Sequence, residues 1–143
     1  MRNSINIALA LVRILGTVMI VLGLLFWTGN ALALIPVHML IGIMVVLLLW
    51  ALAGLAARAG VPAQLVSLAF AWGIVVPALG VTQNQLLLGP AHWIIQVLHL
   101  LVGLVALALA HALAYQSLAR VGFAQPRTMP NLRTELTRQV TTG

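Results

Sequence analysis

Four histidines, His38, His92, His99 and His111, hold most of the chemistry available to this chain. It has no cysteine, and its one acidic residue is Glu135. Disulfides, thiolate metal sites and cysteine nucleophiles are therefore excluded. Paired-carboxylate hydrolysis, carboxylate proton relays and oxygen-rich cation sites lack the residues they need. An enzyme acting on lipid or quinone would have no visible nucleophile–base pair. Neutral imidazole can still bind a transition metal. A zinc ion wants about four N, S or O ligands, and the spacing does not gather four histidines at one level. Porphyrin iron asks the protein for two axial ligands only, and imidazole suits it.

The elements that must position these rings are legible in the charge distribution. Of the 143 residues, 63% are hydrophobic and 6% charged, too few charges to cover a small water-soluble domain. No charged residue lies between Arg13 and Arg58, or between Arg58 and Arg120. Each gap accommodates two spans of roughly 20 residues, the length that crosses a hydrocarbon core of about 30 Å. The fold class expected is all-α: an integral membrane four-helix bundle built as two helical hairpins. Its helices run over about 5–27, 36–57, 62–81 and 90–120, followed by a polar, loosely ordered tail at 121–143. Pro36, Pro62 and Pro90 stand at helix starts, Pro77 is expected to kink the third helix, and Trp27 and Trp93 suit an outer aromatic belt. Arg2 with the apolar stretch to Ala33 imitates a signal peptide, but that stretch is too long for the usual apolar region and reads as a retained helix.

The net charge of +6 would point to nucleic acid in a soluble protein. Here Arg2, Arg13, Arg58, Arg120, Arg127, Arg133 and Arg138 all sort to one side of the expected hairpins. The positive-inside rule then puts both termini and the middle loop in the cytoplasm of a bacterium, with the protein multi-pass in the inner membrane. The arginines serve topology and anionic lipid; no nucleic-acid partner is expected. Arg13 is expected to snorkel toward that interface on its long stem.

Thr28, Asn30, Pro36 and His38 recur as Thr82, Asn84, Pro90 and His92, each 54 positions on. Such a repeat implies a pseudo-twofold axis along the membrane normal, relating the two hairpins and placing the second and fourth helices at opposite corners. His38 and His92 would then face each other. A second register competes. His99 lies seven residues after His92, on nearly the same helical face and about 10 Å deeper, and His99 is followed by Gly103 as His38 is followed by Gly42. The partner of His38 is thus His92 by loop register or His99 by local pattern. Gln96 shares the stripe, and Gly23 and Gly80 lie at a depth where glycine would let a flat group approach. Taken singly, the outer histidines read equally well as interfacial residues hydrogen-bonded to loops, and the glycines as ordinary helix contacts. His111 lies off the stripe near the other end, one turn before Tyr115, and reads as a packing or interfacial residue.

This layout of His38, Gly42, His92, His99, Gly103, Gly23 and Gly80 resembles the four-helix membrane b-type cytochromes, the cytochrome b and cytochrome b561 class. The resemblance covers helix order and these positions. It implies one haem b clamped by His38 with His92 or His99, Gln96 contacting a propionate, and electron transfer to or from a quinone or a neighbouring subunit. Many members carry two histidines on each ligand helix and hold two haems. The single histidine of the second helix points to one haem near the outer face. The competing expectation is a non-redox accessory subunit of a larger membrane complex, or a small carrier, with structural histidines.

Overall fold

The computed structural model describes residues 1–123. Four helices account for most of them: α1 (Arg2–Trp27), α2 (Ile35–Arg58), α3 (Ala63–Thr82) and α4 (His92–Phe123). All four are long and apolar enough to cross a membrane. Large apolar side chains such as Ile7, Ile14, Leu40, Ile43, Ile74 and Leu101 stand exposed around the bundle, a surface suited to lipid rather than water. The fourth helix extends three residues into the segment read as tail; the rest of that segment lies outside the described residues.

Local chemistry sets the joints. Thr28 ends α1 with its hydroxyl donating to the Leu25 carbonyl at 2.8 Å, and the Asn30 amide donates to that hydroxyl at 3.0 Å. Gly29 and Ala31, at φ 75° and 57°, then reverse the chain. Pro36 falls in the first turn of α2, where its missing N–H costs nothing. At the other end Gly60 takes φ 76°, with its N–H on Ala57 and that of Val61 on Ala56, the paired closure of a Schellman turn. Pro62 sits just ahead of α3, and Pro77 lies inside it without ending it. The second outer connection is longer. After a short 3-10 turn at Gln83–Gln85, the chain passes Leu87 and Gly89, both at positive φ, before α4 begins at His92 rather than at Pro90.

In cross-section α2 and α4 touch across the bundle, each also touches α1 and α3, and α1 and α3 do not meet. Packing is uneven along the axis. The core of Ile5, Leu9 and Val12, Leu49, Leu52 and Ala56, Val66 and Ala69, and Leu109, Leu113 and Ala114 lies in the half that holds Arg2, Arg58 and Arg120. Toward the opposite end no residue of α2 before Val46, and none of α3 after Gly73, is buried. His38 and His99 lie in that loosely packed half.

Candidate functional site

His38 occupies the first turn of α2, and His99 lies two turns into α4. The structure brings these two rings together, with centroids 6.4 Å apart and planes inclined at 49°. The register follows from the outer connections. The first leads from a 3-10 turn at Leu32–Leu34 directly into α2. The second continues past its own turn, so α4 starts farther out and presents His99, not His92, level with His38. His92 is engaged at the loop, its Nδ1 lying 3.2 Å from the Leu86 carbonyl oxygen.

Both rings of the pair are half-buried, and each buries its Nδ1 with no hydrogen-bond partner. Phe26, at the end of α1, meets the His38 ring edge-on at 5.3 Å and 67°. Gly80 of α3 faces His99 so closely that a Cβ there would come within 3.3 Å of the His99 Cε1. Gly42 abuts the end of Met19, whereas a side chain at Gly23 or Gly103 would enter open space. Gln96 is half-buried, one turn before His99. Helices from every corner of the bundle therefore reach the pair.

Among the described residues no group of three or more His, Asp or Glu side chains could hold a metal ion, so a closed tetrahedral ion site is not formed. A histidine pair serves a metal that brings its remaining ligands with it. His38 and His99 are the residues that would hold such a metal, and their Nδ1 atoms are not spent on another partner.

His111 lies far from this pair, in a hydrogen-bonded cluster. Its Nδ1–H donates to the Leu107 carbonyl at 2.8 Å, and its Nε2 accepts from the Arg13 Nε at 3.2 Å. Arg13 also donates to the Tyr115 hydroxyl at 2.8 Å. Arg13 thus reaches across to α4, toward the end that carries Arg120, and His111 and Tyr115 satisfy two of its N–H groups. Phe26 was not picked out by the sequence reading, nor was the partnership of Arg13 with His111. The available cue for the latter was the one-turn spacing of His111 and Tyr115 opposite the one arginine lying well inside a span. Comparisons with protein-family models, with curated proteins and with solved structures find no match to this chain.

Proposed function

We propose that the chain is a membrane b-type haem protein, holding one haem between α2 and α4 with His38 and His99 as axial ligands. The observation that carries this reading is the pair itself: two imidazoles 6.4 Å apart, each with a buried unpartnered nitrogen, in the loosely packed half of an otherwise well-filled bundle. A buried nitrogen without a partner is costly, and a metal taken up through the Nδ1 of each ring would satisfy both. Bound haem would supply one-electron chemistry between ferric and ferrous iron. The protein's part is to fix the two rings from separate helices, with Phe26 restricting His38 and Gly80 leaving space for His99. Gln96 is placed to meet a propionate, and the electron partner is a quinone or a neighbouring subunit. A pseudo-twofold axis relating the two hairpins would bring α2 and α4 together across the bundle, where they meet, but the pairing of His38 with His99 departs from the 54-residue register. The gathering of Arg2, Arg58 and Arg120 at one end favours a bacterial inner-membrane protein with both termini cytoplasmic.

The test is spectroscopic. Protein produced with ample haem and purified in detergent should carry a Soret band that sharpens and shifts on dithionite reduction. His38→Ala and His99→Ala should each abolish it, while His92→Ala and His111→Ala keep it. A colourless wild-type protein would hand the reading to the non-redox accessory subunit or carrier with structural histidines. Loss of colour in His92→Ala, with His99→Ala unaffected, would overturn the ligand assignment.

A further inference from the structure

We propose that Arg13, His111 and Tyr115 form a second binding site, on the lipid-facing seam of α1 and α4, for the phosphate of an anionic phospholipid. Arg13 and Tyr115 are exposed and His111 is half-buried. On α1 the cluster stands six residues from exposed Ile7, and on α4 Tyr115 adjoins exposed Gln116 and lies five residues short of Arg120, so the cluster sits where the apolar surface gives way to the arginine-rich end. A cation beside so much apolar surface is stabilised by a counter-charge. The described residues contain no carboxylate, since the one acid of the chain is Glu135, and both partners of Arg13 are neutral.

The hydrogen-bond inventory defines what the site accepts. Both His111 nitrogens are used, one toward Leu107 and one toward Arg13. The guanidinium has five N–H donors, of which two are spent, and the Tyr115 hydroxyl accepts from Arg13 while keeping its own proton to give. What faces outward is therefore positive and rich in free donors, matched by a ligand that is negative and rich in acceptors. The non-bridging oxygens of a phosphodiester fit that demand. The source is the membrane itself, because the cluster opens outward and the same end carries exposed Arg2, Arg58 and Arg120, which concentrate anionic headgroups. A headgroup phosphate at that end lies within reach of the long arginine stem.

The proposal is tested by placing the full chain in phosphatidylcholine nanodiscs doped with phosphatidylglycerol and counting retained lipid by native mass spectrometry. Wild-type protein should keep bound phosphatidylglycerol. Arg13→Gln should lose it by about tenfold, and Tyr115→Phe, which removes one exposed O–H and leaves the ring, by about threefold. Arg58→Gln should retain it. Inorganic phosphate added to pure phosphatidylcholine discs should leave no adduct; an adduct that phosphatidylglycerol fails to displace would assign the site to free phosphate and overturn the lipid. Equal retention in wild type, Arg13→Gln and Tyr115→Phe would overturn the site. So would an equal loss in Arg58→Gln, which would mean diffuse attraction to the basic end. Loss of a co-purifying membrane protein from Arg13→Gln, with lipid unchanged, would replace the lipid by a partner's carboxylate.

Discussion

An imidazole nitrogen buried without a partner costs about 1–3 kcal/mol, and His38 and His99 each bear one. If a ligand satisfies these nitrogens, the sign of a substitution depends on whether that ligand is present. In haem-free protein His99→Leu removes an unsatisfied polar atom while keeping most of the volume, so its thermal midpoint should stay level or rise. If the proposed haem binds, the same change in loaded protein should lower the midpoint, because it removes one of the two rings that would hold it. Paired melts with and without haem decide it; a drop of equal size in both states would assign His99 to packing alone. Gly80 offers a gentler perturbation. A Cβ there would press on the His99 Cε1 at 3.3 Å, so Gly80→Ala should tilt or displace the ring and, under the haem proposal, shift the Soret maximum without abolishing colour. An unchanged spectrum would mean that the ring has slack on that side.

Between helices, close approach is set by two glycines that lie away from the histidine pair. At Gly16 a Cβ would come within 2.7 Å of the Leu107 side chain, so α1 and α4 are seated by the absence of that atom. Gly16→Val should cost about 1–3 kcal/mol, read as a lower melting midpoint in detergent. Leu107→Ala in the same chain should recover part of the loss, because the two changes share one volume; strict additivity would show that the contact is not what the valine disturbs. Gly73 has the same role between α2 and α3. It lies against the Trp50 indole, whose Nε1–H donates to the Phe70 carbonyl at 3.2 Å. A second indole, Trp72, donates to the Val102 carbonyl at 2.9 Å and ties α3 to α4. Such bonds between a side chain and a helix backbone give the apolar bundle directional contacts that lipid-like packing by itself does not supply.

For the whole molecule, the arginines make the orientation measurable. With no native cysteine, single cysteines introduced at Asn84 and at Ala59 report the two ends without background. In sealed inverted vesicles an impermeant maleimide should label Ala59→Cys and leave Asn84→Cys, with the reverse in intact spheroplasts; the opposite pattern would reject the positive-inside assignment. The uneven core adds a dynamic expectation. The arginine-rich half holds the tightly buried residues Ile5, Leu49, Leu52 and Leu113, so its amides should exchange slowly, while those flanking His38 and His99 should exchange faster and, if the proposed haem binds, slow markedly on its addition.

The amino-acid sequence alone determined the membrane class, the four spans to within a few residues and the two helices that carry the paired rings, because charge placement, apolar run length and proline positions are local properties. Pro90 misled by two residues, since the second outer connection includes a turn at positive φ that delays α4. The partner of His38 was beyond local reach: His92 and His99 differ by two helical turns on one face, and only the way α4 rises past its loop decides which stands level with α2. The same holds for Arg13. Its place within α1 was readable, but its engagement of His111 and Tyr115 depended on how closely α1 and α4 approach, which a chain this uniformly apolar leaves to tertiary packing.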